Sequence, residues 1–134
     1  MPAHLNPYLM LGDTARPALE FYRGVFGGEI EMRTYADVPG TPPENADRVM
    51  HSSLTTSDGR VIMAADSPEG ARPPSGDNVA ISVSSADRDV NQAWWDGLSA
   101  GGTVEVPFVE APWGHRFGMC IDKFGIRWMV SDDE

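Results

Sequence analysis

A single cysteine, Cys120, leaves no partner for an internal disulfide, which argues against a disulfide-stapled secreted scaffold. Basic residues are also scarce. Ten Lys+Arg against twenty Asp+Glu give a formal net charge of -10, so a nucleic-acid or anionic-membrane footprint is disfavoured and a neutral or cationic ligand is the easier guest. The acidic surplus serves solubility in the first place. No apolar run approaches the roughly 20 residues a membrane-spanning helix needs. No cationic-then-apolar leader opens the chain, and together with the lone cysteine this leads us to expect a cytoplasmic protein. What is present is enough for one core: 134 residues, 41% of them hydrophobic, read as a single domain over 1–134.

Familiar catalytic signatures are missing as well. There is no G-x-S-x-G, and no glycine-rich loop joins a strand to a helix as a phosphate or dinucleotide site requires. The three histidines, His4, His51 and His115, form no H-x-x-x-H or H-x-E pair. Cys120 lies in a strand-like run and reads as a small core residue rather than a nucleophile.

The chain does contain an internal repeat. Near its start a strand-like Pro7 to Gly12 precedes a helical pattern over Thr14 to Phe26, with Ala18, Leu19, Tyr22 and Phe26 on one side; Gly27-Gly28 stops it and Glu29 to Met32 alternates as a strand. The second half repeats the order. Val79 to Val83 leads into a helix over Ala86 to Ala100, with Val90, Ala93, Trp94 and Leu98 on one side, then Gly101-Gly102 and the strand Thr103 to Val106. Each half closes with a hairpin glycine, Gly59 or Gly125, between strand candidates: Arg48 to Thr56 and Arg116 to Asp122 before it, Val61 to Met63 and Ile126 to Met129 after it. The expected fold is therefore α+β, two βαβββ modules over about 4–66 and 77–132, joined by a Pro/Gly-rich linker at 67–76; Val38 to Asn45 is a further loop.

Strand parity assigns faces. Leu5, Leu9 and Leu11, then Val79, Ile81 and Val83, and Trp128 with Val130, suit packing beneath the helices. Asn6, Tyr8 and Met10, Asn78, Ala80 and Ser82, and Arg127 with Met129 take the opposite faces, whose mixed character suits the walls of a cleft between the modules. Trp94 and Trp128 read as core, Trp95 as helix surface or subunit contact, and Trp113 as the best candidate for stacking on a flat ligand. Asp66, Glu110 and Asp122 lie at strand ends, where solvated turn carboxylates outnumber acid-base groups. His4 reads as surface and His115 as a solvated turn residue near the cleft rim.

Several pieces, in this order and spacing, carry a resemblance: Ala18-Leu19-Glu20-Phe21-Tyr22 with Phe26-Gly27-Gly28, Val49-Met50-His51, Trp113-Gly114, Phe117-Gly118, Asp122, Phe124-Gly125 and Trp128. The chain resembles the vicinal oxygen chelate superfamily of glyoxalase I, bleomycin-resistance proteins and extradiol dioxygenases, and within it the PhnB-like branch. The resemblance implies a cup-shaped mixed sheet built from the two modules, usually in a homodimer. It also implies four cleft positions, one on the first and one on the last strand of each module, where metal-dependent relatives carry His, Glu or Gln. Here those positions hold Asn6, Met63, Asn78 and Met129. Two amides and two thioethers supply no anionic charge, and a thioether is a poor ligand for Mg, Mn, Fe(II), Ni or Zn. The positions are degenerate, and no metal or other cofactor is expected.

Three functions follow as expectations. The first is a binding protein that holds a small apolar or aromatic, possibly cationic, molecule in the cleft, with Tyr8, His51, Met63, Trp113, Arg127 and Met129 as ligand contacts. The second is a metal-dependent lyase or dioxygenase of the glyoxalase type, against which the four side chains argue. The third is a metal-independent enzyme with His51 as acid/base and Arg127 or a donor near Trp113 polarising a carbonyl; His51 can equally be a neutral residue hydrogen-bonded to a neighbouring strand. The first is the expected function.

Overall fold

Each half of the chain runs strand, helix, strand, strand, strand. In the computed structural model, which describes residues 4–67, 79–112 and 114–132, the two halves fall in compact units, Met1–Pro74 and Ser75–Glu134. The first contains β1 (Tyr8–Met10), α1 (Ala15–Phe26), β2 (Glu29–Thr34), β3 (Val49–Thr55) and β4 (Val61–Ala65). The second contains β5 (Ile81–Ser85), α2 (Arg88–Ser99), β6 (Thr103–Glu110), β7 (Arg116–Ile121) and β8 (Arg127–Asp132). Their sheets have the same order, β1-β4-β3-β2 and β5-β8-β7-β6, with the first and last strands of each unit parallel and the remaining pairs antiparallel. The α+β fold expected from the repeat is the one observed.

α1 forms because its apolar residues fall on one stripe: Ala15, Ala18, Leu19 and Tyr22 are all buried. It stops at Gly27, whose N–H still bonds Arg23 O at 2.7 Å and whose φ of 72° turns the chain out of the helix. Gly28 follows at φ 111°, and a Cβ there would sit 1.9 Å from Thr55 O, so only glycine lets the chain pass so close to the end of β3. The second unit repeats this approach at Gly102, where a Cβ would lie 2.1 Å from Ile121 O at the end of β7.

α2 corrects one expectation. Its buried stripe is Asn91, Trp95 and Leu98, while Val90 and Ala93 are exposed and Trp94 is only half-buried. Trp95 is therefore core, stacked on Phe108 with ring centroids 5.5 Å apart. The reason is Asn91: its amide donates to Asp132 Oδ1 at 2.9 Å and to Ser85 O at 2.8 Å, so a polar residue occupies the stripe and a count of apolar residues alone turns the helix by one position. Gly118 of β7 is glycine for the same packing, since a Cβ there would meet Trp95 and Phe108 at 2.9 Å.

Beneath the helices lie Ser52, Leu54, Ile62 and Ala64 in the first unit and Cys120, Trp128 and Val130 in the second, all buried. Leu5 and Val79 do not join them. They are 100% and 72% exposed, because β1 and β5 begin only at Tyr8 and Ile81.

Asp66 and Asp122 are also corrected, from solvated turn residues to buried structural ones. Asp66 accepts from Ala15 N at 3.1 Å and Val49 N at 2.7 Å, fixing the start of α1 to the start of β3. Asp122 accepts from Phe124 N, Ile126 N and Trp128 Nε1, closing the last hairpin over the buried indole. Glu110, at the end of β6, is exposed as expected.

Candidate functional site

The face of the first sheet away from α1 is set by strand register. Across it, Tyr8 of β1 lies beside Met63 of β4, Met63 opposite Ser53 of β3, and Ser53 opposite Glu31 of β2. One row further along, Met10 pairs with Ala65 and His51 with Arg33. Three of the expected ligand contacts, Tyr8, His51 and Met63, thus share one open face, which Met10 extends. Tyr8 and Met10 stand on the edge strand β1 and are 44% and 43% exposed.

His51 is tied into this face. Its Nδ1 lies 3.1 Å from the Tyr8 hydroxyl, and the two rings sit 5.7 Å apart at 31°. When the ring proton is on Nε2 the phenol donates to Nδ1, which leaves Nε2–H as a donor for a bound molecule. The pair is a hydrogen-bonding anchor beside the adaptable, polarizable thioethers of Met10 and Met63.

The second sheet offers a different open face. Met129 of β8 stands between Ser82 of β5 and Met119 of β7, and Met119 faces Val106 of β6. Arg127, further along β8, donates from Nε and Nη2 to the Glu105 carboxylate at 2.7 and 3.1 Å. The Arg127 guanidinium in turn holds the Glu105 carboxyl below its ordinary pKa. An Arg balanced in this way presents little net charge to a ligand. Parity did not reveal Glu105, because β6 is irregular between Val104 and Val106. Met119 could have been found from the alternation of β7.

The other expected positions are scattered. Asn6 is half-buried and precedes β1, His4 is exposed, and His115 lies half-buried at the turn before β7. Asn78 and Trp113 lie outside the described residues. Cys120 is buried, and burial, with the Asp122 and Glu105 carboxylates, pushes its thiol up to about 11, so it is no nucleophile at neutral pH.

The donor chemistry at Asn6, Met63 and Met129 does not fit the divalent metal of the superfamily's enzymes: an amide and two thioethers carry no charge to offset a dication. Among the described residues no three His, Cys, Asp or Glu side chains gather where they could hold one.

A pocket of about 390 Å³, open to solvent, lies in the first unit along the segment from Tyr35 to Arg48; Tyr8, His51 and Met63 are not among its lining residues. The Val38 to Asn45 loop bounds it, and the 3-10 turns Tyr35–Asp37 and Pro43–Asn45 brace it at either end.

Paired modules of this order, with an open sheet face in each, define a class that sequence comparison now makes specific. Residues 4–130 match the model of the Glyoxalase/Bleomycin resistance protein/Dioxygenase superfamily, and the chain belongs to that superfamily. It is similar to protein YjdN of Escherichia coli (strain K12), with 24% identity over 139 residues covering 95% of this chain and 93% of that protein. Among solved structures, protein PA1353 from Pseudomonas aeruginosa superposes with a TM-score of 0.87 at 27% identity, covering 98% of each chain. The PhnB protein from Bacillus cereus shares the fold with a TM-score of 0.83 at 22% identity, over 98% of this chain and 100% of that one.

Proposed function

We propose that this chain is a binding protein of the superfamily that holds a small apolar or aromatic molecule, cationic ones included, on the open faces of its sheets without a divalent metal. The convergence of Tyr8, His51 and Met63 on one face carries this reading: an aromatic ring, a hydrogen-bonding imidazole and a thioether suit a flat organic guest. Met129 and Met119 supply similar soft surface in the second unit. The net charge of -10 favours a cation by long-range attraction. We further propose that the protein works in the cytoplasm as a homodimer, because each small sheet leaves edge strands that a second copy would cover.

The Tyr8–His51 hydrogen bond favours one second reading, metal-independent proton transfer by His51 with Tyr8 fixing its ring. The glyoxalase-type metal reaction has no comparable support.

Titration with proflavine, a planar aromatic cation, in the presence of EDTA tests the proposal. Saturable binding by the wild-type chain, weakened about tenfold by His51→Ala with the melting temperature almost unchanged, is expected. Binding that requires an added divalent metal, or that ignores His51→Ala, would contradict it. Light scattering at micromolar concentration checks the dimer, and a strictly monomeric species argues against it.

A further inference from the structure

The segment that lines this pocket, a depression open to solvent, has its two ends tied together. Tyr35 N–H bonds to Arg48 O at 3.1 Å and ties its two ends, while Val38 N bonds to Tyr35 O, Asn45 N to Pro42 O and Arg48 N to Asn45 O. At its tip Val38-Pro39-Gly40-Thr41 makes a turn of type II character, with Pro at the second position, Gly40 at φ 86° and Thr41 N reaching Val38 O at 3.3 Å. Three prolines, Pro39, Pro42 and Pro43, narrow the unfolded alternatives, so the cavity walls are largely set before anything binds. A compact loop with joined ends that carries a surface pocket is a common site of function.

We propose that this loop is a second ligand site, distinct from the open sheet face, and that its guest is a small, neutral, flat aromatic molecule. The walls argue for flatness: Tyr35, Pro39 and Pro42 offer rigid ring surfaces and Val38 an apolar one, a lining suited to stacking. Size argues for a small guest, since about 390 Å³ is near the lower end of ligand cavities. Charge argues for neutrality. Arg48, the one basic residue of the lining, keeps its charge but turns its Nη2 to the carbonyls of Gly12 and Ser67, which fastens the loop to the ends of β1 and β4, and the lining holds no carboxylate for a cation. Thr41 brings the polar character that would orient one heteroatom.

Indole is a suitable probe, followed by backbone amide shifts of the full chain. Millimolar indole is expected to move the resonances of Tyr35, Val38, Gly40, Thr41 and Asn45 saturably. Tyr35→Ala should weaken the apparent affinity about tenfold and Tyr35→Phe should leave it within about twofold, because the ring face and not the hydroxyl is used. Val38→Trp, which fills the cavity, should abolish the shifts while the rest of the spectrum stays folded. No saturable shift in 35–48, shifts confined to Tyr8, His51 and Met63, or an unchanged response in Val38→Trp would each overturn the proposal. The open-face reading stands or falls separately, on proflavine and His51→Ala.

Discussion

The two modules share one topology and one device at its end, yet secure it differently. In the first, the Asp66 carboxylate binds two backbone N–H groups, those of Ala15 and Val49. In the second, Asp132 takes the equivalent place: it accepts from Arg116 N, but also from the Arg116 guanidinium at 2.9 and 3.0 Å and from Asn91. Arg116 continues the network to Gln92 Oε1 and Arg88 O, and lies 4.6 Å above the Phe108 ring. What the modules hold in common, a carboxylate pinning the last strand to the start of the third, is architecture. What differs, the open faces and the charge behind the clasp, is where function and specific stability lie.

Removing the two clasps breaks this comparison most sharply. Asp132→Ala leaves a mostly buried guanidinium without its carboxylate, holding only the neutral acceptors Gln92 Oε1 and Arg88 O, and should cost about 4 kcal/mol, whereas Asp66→Ala strands only backbone donors and should cost about 2 kcal/mol, both read by urea unfolding. Equal losses would show that the charge contributes nothing. Next come the helices. Trp95→Ala should destabilise by about 3 kcal/mol and Trp94→Ala by under about 1 kcal/mol, since only the first removes a ring from the core.

Acid should act through the second clasp. Arg116 holds the Asp132 carboxyl well below the ordinary range, so its contribution is complete above the unfolded carboxylate value of about 3.9 and declines as pH falls through that value toward the lower native one. Thermal melts from pH 7 downward should show stability falling below about pH 5. Asp132→Asn should flatten that slope, and an unchanged slope would assign it to other groups. Asp58 and Glu105, also lowered, are more exposed and contribute less. The smallest effect belongs to the open face: Tyr8→Phe loses an exposed hydrogen bond and should change stability by less than about 1 kcal/mol while altering ligand affinity.

The contrast between modules also explains what could be read from sequence. α1 was legible because its stripe is wholly apolar, and the paired glycines marked both helix ends because backbone passes too near for a Cβ. α2 was rotated because Asn91 is buried by partners far along the chain, Ser85 and Asp132, which a local pattern does not register. Asp66 and Asp122 misled for the same reason, as their partners are set by the hairpins and the helix start. On the candidate site, period-two alternation put Tyr8 and Met10 on one face and the family resemblance put Met63 in the cleft, but the sharing of a face by Tyr8 and Met63 and the Tyr8–His51 contact needed strand order, and Glu105 was hidden by the irregularity in β6. The loop cavity had no sequence signal beyond its prolines and glycine.

Metal uptake is the most direct test. The protein is equilibrated with excess nickel, zinc, manganese or iron(II), desalted and analysed for metal content. A metal-independent binding protein should retain far less than one equivalent of each, whereas one equivalent per chain, lost on Met63→Ala or Met129→Ala, would contradict the account.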